Sequence, residues 1–502
     1  MVSCGGGNKQ NTAGASDEFK SESSLYTGYD LSKPVTIYLY MLGDVPADLY
    51  EVLSIANEKY FKPVLNTTVE MEFLGWSDYE TKYPLILAGG DDVDIIYTAS
   101  WAFYDQEAAK GAFVELTDDF ISRWMPNIKR LQPANSWPQV IIGGKIFCVP
   151  RMYAFSSTKL WAIREDLREK YSLPPVTDWV NLENYLFTIA ANERSLQAYA
   201  SAGENEELMG SYMGYNRIAT TNYPVFYSWN NRVRHEPDPE ELEFLYMTDG
   251  YTNFALKMKE FAEKGVWSRN VMNNTTPISD AFVQGTSASV YWSEVVFTLG
   301  KNMETNGVGK VGYYDLTPDA PLGRAPYNGD NWAIASSSSN PERAALVLDL
   351  MKTNTDLVNL LMGGIEGRHY LDQKDGTFLP GPESAKYPFN GWAWALNYPD
   401  MLTLAFDKDS HPAQKQIMES IAGRIVDSAI NLYRFDIAPV SAEWAVISSL
   451  VAEYSSSFDC GVFGAQTLAK LEEFRNKLKS AGLDKLTTEF RRQYAEFQKQ
   501  YQ

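Results

Sequence analysis

PVTIYLYMLGDVPADLYEVLSIANEKYFKPVLNTTVEMEFLGWSDYETKYPLILAGGDDVDIIY, residues 34–97, alternates two periodicities. PVTIYLYML (34–42) has the β-branched and aromatic content of a strand. PADLYEVLSIANEKYFKP then sets Leu49, Val52, Leu53, Ala56 and Tyr60 on one helical face. TTVEMEFL (67–74) returns to period two through Val69, Met71 and Phe73. DYETKYPLILAGG reads as a helix closed by glycine, and VDIIY (93–97) as a short buried strand. Strand, helix, strand, helix, strand with short connections implies right-handed crossovers and a parallel sheet, the opening of an α/β domain.

Outward from that stretch, the whole chain of 502 residues exceeds what one core usually supports, so at least two lobes are expected. QVIIGGKIFCVP (139–150) reads as a hairpin feeding a crossover near 149–155. WAIREDLREKYSLPPVTDWVNLENYLFTIA (161–190) reads as helix, loop, helix, and 251–268 as an amphipathic helix ended by Gly265. Residues 278–294 give helix, turn and strand. NWAIASSSSNPERAALVLDLM (331–351) gives a strand and a helix with Asn340 as N-cap, Pro341 at its first position, and Ala344, Val347, Leu348 and Met351 as its buried face. Two helices separated by Gly482 are expected after Gln466.

Charge and motifs exclude several functions. A net charge of −20 disfavours nucleic acid and anionic lipid surfaces. No apolar run is long enough for a membrane-spanning helix. Cys4, Cys148 and Cys460 are far apart and odd in number, which argues against a disulfide framework, and Cys148 reads as a small buried hydrophobe. His235, His369 and His411 have no partner at metal-ligand spacing, so no metal site and no cofactor are expected. There is no GxSxG, P-loop or GxGxxG motif. Chance pairs among 64 acidic residues are no evidence for a glycosidase, and the chain is read as a binding protein rather than an enzyme.

LAGGDDVDIIYTASW (87–101), KLWAIREDLREKYSLPPVTDW (159–179) and NWAIASSSSNPERAALVLDLM resemble units of the family 1 extracellular solute-binding proteins, the lipoprotein components of bacterial ABC sugar importers. That family usually has a Tyr-Asn-Lys-Asp-like run where Ala-Ile-Arg-Glu-Asp stands here. LMGGIEGRHY (361–370) and FRNKLKSAGLDKLTTEF (474–490) are similar to a Firmicutes branch with an extended C-terminal region. The resemblance implies a two-lobed, type II periplasmic-binding-protein-like α/β fold with a ligand cleft between lobes. The expected division is a tether at 1–32, a first lobe of 33–150 plus about 278–328, and a second of 151–277 plus about 329–502. The implied function is capture of an oligosaccharide by a monomer and its delivery to ABC permease subunits. Binding of peptides or other polar solutes on the same fold, or a surface glycosidase, are the alternatives.

MVSC at the start resembles a lipobox whose signal peptide is absent, with Cys4 as the lipid-attachment residue and 5–32 as a Gly/Ser-rich tether of about 30 Å. The expected location is the outer face of the cytoplasmic membrane, held only through that anchor.

Sugars offer C–H faces to aromatic rings and hydroxyls to carboxylates and amides, and such residues belong where strands end. Trp76 and Asp78 follow the second strand, although Asp78 equally suits a helix cap. Trp101 follows the third and is the leading platform candidate. Tyr40 ends the first strand, and Tyr153 lies at the crossover. Tyr227 and Trp229, Trp292, and Asp330, Asn331 and Trp332 add aromatic and polar groups near other strand ends. Glu366 lies in a Gly-rich turn. For Tyr153, Trp332 and their like, packing in the core is the competing reading.

Overall fold

A computed structural model describes residues 26–76, 78–89, 92–152, 159–201, 203, 206–221, 227–229, 236–374, 378–389, 411–426 and 429–501. The chain forms two compact units, 1–154 with 326–409 and 155–325 with 410–502, and so passes between them three times.

The first unit is built on a five-stranded sheet. Within it Val35–Leu42 pairs in parallel with the edge strand Thr67–Leu74, from Val35↔Thr67 to Leu42↔Leu74. On the other side it pairs in parallel with Ile95–Thr98. The predicted crossovers are therefore present, with the first strand between the other two. The crossover helix Leu49–Ala56 buries Leu49, Val52, Leu53 and Ala56, as its spacing dictates. It runs on through a π-turn at Asn57–Phe61 to Leu65 and ends on Asn66 in the left-handed conformation (φ 48°). Asn331–Ile334 then enters antiparallel between Ile95–Thr98 and Cys148–Pro150. Between these, the predicted hairpin forms as Ile141–Ile142 paired with Lys145–Ile146. Its Gly143 and Gly144 both have positive φ (56° and 79°), which the tight two-residue turn requires.

The helix Pro341–Thr353 starts at Pro341 as predicted, but Asn340 makes no side-chain cap. It is buried on every face, not only along the apolar stripe, and encloses Arg343, Asp349 and Lys352. Arg343 and Asp349 survive burial by being bonded. Arg343 Nη1 donates to the Leu65 carbonyl (2.8 Å) and Thr67 Oγ1 (3.1 Å). Asp349 accepts from the Ile128 amide (2.6 Å), the Asn127 amide (3.1 Å) and the Tyr26 hydroxyl (2.8 Å).

The second unit centres on Leu160–Arg164, flanked antiparallel by Ser289–Trp292 and Val311–Tyr314. Asp178 caps the helix Trp179–Asn192 by accepting from the Asn181 amide (2.8 Å). The C-terminal helices Ser441–Asp459, Thr467–Ser480 and Leu483–Tyr501 share this unit's core through Ile447 and Phe458, Leu471 and Phe474, and Leu486, Phe490 and Tyr494 in turn.

Three expectations about organisation are corrected. Residues 278–325 lie in the second unit, not the first, because two of their strands complete the sheet around Leu160–Arg164. Residues 329–409 lie in the first unit, because Asn331–Ile334 and the helix after it form the first core. The division falls at 154/155, not at 150/151. The tether reading also extends too far. Tyr26 is 4% exposed, packed in the first core and bonded to Asp349, so residues 26–32 are held to the domain.

Burial raises Asp349 to about 6, while the hydrogen bonds it accepts partly oppose the rise. A carboxyl whose folded pKa is raised contributes stability that is full below its unfolded pKa of 3.8 and lost as pH rises through about 6. The shift corresponds to roughly 3 kcal/mol between those limits. Denaturant titrations from pH 4 to pH 7 on wild type and Asp349→Asn should show this slope in the wild type and its loss in the variant. Parallel pH profiles would refute the assignment.

Candidate functional site

The turn after Ile95–Thr98 is tight. Thr98 Oγ1 donates to the Ala102 carbonyl (3.0 Å), and the Ala102 amide donates to Ala99 (3.0 Å). Phe103 closes the turn with φ 59°, a left-handed conformation that costs a side-chain-bearing residue roughly 1–2 kcal/mol. Stacking of Phe103 on buried Tyr83, with centroids 5.2 Å apart and planes at 18°, helps hold it there. The consequence is that Trp101 stands at the tip, 47% exposed. Its Nε1 donates to the Gly329 carbonyl at 2.7 Å, which fixes the ring. Trp76, just beyond Thr67–Leu74, is 44% exposed and lies 6.2 Å from Trp101 at an interplanar angle of 30°. Tyr79 meets Trp76 edge-on at 5.9 Å. Two large indoles therefore stay in solvent side by side at the carboxyl ends of two parallel strands.

Behind them is a buried polar layer. The Tyr97 hydroxyl donates to Asp330 Oδ1 (2.7 Å), and Arg151 Nη1 donates to Asp330 Oδ2 (2.8 Å). Tyr97 is pushed well above its usual range, chiefly by burial and then by the neighbouring Asp330 charge, so it stays a neutral donor. Lys352 is lowered to about 7 by complete burial, opposed by the Asp330 carboxylate.

Other expected site residues fall elsewhere. Asp330 is buried in this ion pair, so its carboxylate serves the turn and not a sugar hydroxyl. Asn331 and Trp332 are fully buried, because their strand lies in the sheet interior, and Trp332 packs edge-on against Tyr97 at 5.7 Å. Tyr227 is fully buried and stacks on Phe490 at 3.9 Å, and Trp229 is 6% exposed beside the C-terminal helices. These residues form cores, not a ligand surface. Asp78 starts the helix Tyr79–Gly89 and pairs with Lys82 (2.7 Å). Tyr40 is half-buried on Val35–Leu42 and packs against the first core. Glu366 pairs with Lys374 (3.1 Å) on the surface. Tyr153 and Cys4 lie outside the described residues.

In the second unit Trp292 is 41% exposed at its strand end, with Lys159 Nζ 5.4 Å from the ring centroid. Lys159 is itself paired with Glu207. This is a third exposed indole, with a cation over one face. Arg151, Tyr97, Lys159 and Glu207 were not foreseen as site residues. Their pairings join positions far apart in sequence, and only the aromatic-rich strand ends beside them pointed to the region.

Among the described residues no helix is long and apolar enough to cross a membrane, and no group of three His, Cys, Asp or Glu is placed to hold a metal ion.

Comparison with known proteins agrees with this architecture. A curated carbohydrate ABC transporter substrate-binding protein of Streptococcus pneumoniae is 25% identical over 485 residues, 93% of this chain and 91% of that protein. Among solved structures, the N-glycan transport solute binding protein NgtS of S. pneumoniae superposes with a TM-score of 0.72 at 20% identity, covering 94% of this chain and all of that one. NgtS in complex with Man1GlcNAc gives 0.71 at 20% identity, over 93% of this chain and 100% of that one. An HMO-binding, ABC-transporter-associated solute binding protein of Bifidobacterium longum infantis gives 0.59 at 14% identity, over 92% and 98%. A profile of a domain of unknown function matches residues 430–499, and the profile of the bacterial extracellular solute-binding proteins matches 48–356, more than half the chain. The chain belongs to the family of bacterial extracellular solute-binding proteins.

Proposed function

We propose that this protein captures an oligosaccharide, with Trp101 and Trp76 as its stacking surface, and hands it to the permease of an ABC transporter. The observation that carries this reading is the pair of half-exposed indoles at strand ends, one of them fixed by a hydrogen bond. An exposed aromatic surface of that size is unfavourable in water unless something covers it. The C–H face of a pyranose suits an indole, and neighbouring polar groups then receive its hydroxyls. The relatives support a carbohydrate ligand, since one is named a carbohydrate transporter component and another holds Man1GlcNAc.

In this reading the protein acts as a monomer without cofactor or turnover, and the transporter supplies the energy. Lipid attachment at Cys4 would keep it on the outer face of the cytoplasmic membrane.

Two measurements bear on the proposal. In a thermal-shift screen of mannose–N-acetylglucosamine and plant oligosaccharides, at least one should raise the melting temperature, since ligand at 100 times Kd adds about 2.7 kcal/mol. No shift with any saccharide would overturn the reading. Calorimetry with a saccharide that binds should then show Trp101→Ala weakening affinity more than tenfold, at least about 1.4 kcal/mol. The same variant should change folding stability by less than about 1 kcal/mol, whereas Trp332→Ala should cost about 3–5 kcal/mol of stability. Unchanged affinity in Trp101→Ala would remove that residue from the site.

A further inference from the structure

The turn Pro326–Asp330 is the first segment of the chain after it returns to the first unit. One side chain spans it. Arg151 donates from Nε (3.1 Å) and Nη2 (2.6 Å) to the Pro326 carbonyl, and from Nη1 to Asp330 Oδ2 (2.8 Å). Its backbone amide donates to the Tyr327 carbonyl (3.3 Å), and its carbonyl accepts from Gln132 Nε2 (2.9 Å). The guanidinium therefore closes the turn at both ends and is itself anchored. Gln139 holds the middle of the turn, its Oε1 accepting from the Tyr327 amide (2.7 Å) and its carbonyl from Asn328 Nδ2 (3.1 Å), and Tyr97 donates to Asp330 Oδ1 (2.7 Å). Two further contacts run to the Trp101 loop. The Asn328 carbonyl accepts from the Ser100 amide (2.9 Å), and the Gly329 carbonyl accepts from the Trp101 indole (2.7 Å). Gly329 lies against the same guanidinium, where a Cβ would stand 3.3 Å from Arg151 Nη2.

We propose that Arg151 is a positioning residue for saccharide binding: it shapes the Pro326–Asp330 turn so that the Gly329 carbonyl holds the Trp101 ring ready to stack. This rests on the reading of Trp101 as a stacking surface. The physical reason is preorganisation. An indole half in solvent would otherwise sample several rotamers, and ordering it on binding would weaken affinity. Lysine cannot substitute, because the task needs a planar fork of three donors reaching two acceptors at once. Arg151 also stands four residues before the chain leaves this unit, and Pro326 is the residue on which it returns. The same guanidinium thus ties the outgoing segment to the incoming one.

The test uses the full chain and two readouts. The first needs no ligand: the indole N–H resonance of Trp101, assigned by its loss in Trp101→Phe. In Arg151→Met and Arg151→Lys that resonance should move, and its exchange with water should rise several-fold, while the resonance of buried Trp161 stays in place. Should Arg151→Met fail to fold with Asp330 left unpaired, Arg151→Met/Asp330→Asn removes the orphaned charge and should give the same change. An unaltered Trp101 resonance in the folded variants would overturn the proposal. The second readout is a double-mutant cycle by calorimetry with Man1GlcNAc, or whichever saccharide the screen finds. Arg151→Met should weaken binding about tenfold in the wild-type background and less than twofold in Trp101→Ala. Equal losses in both backgrounds would mean that Arg151 acts without Trp101 and would also overturn it. If no saccharide binds the wild type, the oligosaccharide reading fails, while the indole resonance still decides whether Arg151 sets the ring.

Discussion

The strand Asn331–Ile334 is the constraint on which the rest of the first unit depends. It is fully buried and hydrogen-bonded on both edges, to Ile95–Thr98 and to Cys148–Pro150. A strand in that position leaves no backbone group for water, so both ladders must form together. Only a chain that has already completed most of its second unit can supply it. The strand therefore fixes which segments belong together and where the chain returns. It also places the Pro326–Asp330 turn beside the end of Ile95–Thr98, where Trp101 emerges. Without it, Trp101 would lose the Gly329 carbonyl and Asp330 would lose its place beside Tyr97.

The same constraint separates two tryptophans that look alike in sequence. Trp332 sits on the buried strand, with its ring edge against Tyr97 and no exposure. Trp101 sits one turn past a strand end, is nearly half exposed, and spends its N–H on a backbone carbonyl. One ring contributes to folding by leaving water, and the other stays in water at some cost to the isolated protein. The strain at Phe103 falls on this same loop, and backbone strain tends to persist where the surroundings hold it for a purpose.

Much of the fold was legible because it rests on local periodicity. The strands of 34–97, their helical crossovers, the Gly143–Gly144 hairpin and the C-terminal helices all follow from spacing that the sequence displays directly. The errors arose where a segment's partner is remote. Nothing within 278–325 says that its strands pair with Leu160–Arg164 rather than with the first sheet. The apolar face of Pro341–Thr353 was legible, but its burial on the opposite side depends on Arg343 and Asp349 finding partners hundreds of residues away. At the candidate site, strand ends with exposed Trp76, Trp101 and Trp292 could be named, since position after a strand is local. Whether Tyr227 or Trp332 faces solvent could not, because either ring fits a strand equally well and the neighbouring layer decides.

The C-terminal helices illustrate the same point at larger scale. A separate sequence profile covers 430–499, which suggests an appended module. The packing argues otherwise. Phe490 stacks on Tyr227 at 3.9 Å, and Arg475 donates to the Tyr246 carbonyl at 2.8 Å. Arg491 donates to the Leu242 carbonyl (2.7 Å), and Trp267 to that of Cys460 (3.1 Å). Removing these helices would expose Tyr227, Phe244 and Tyr246 and strand several buried carbonyls, each costly without a partner. The segment is thus part of the second unit's core. The aromatic residues of this chain then divide into those buried in the cores of the two units, Trp332 and Tyr227 among them, and the exposed indoles Trp76, Trp101 and Trp292 at strand ends.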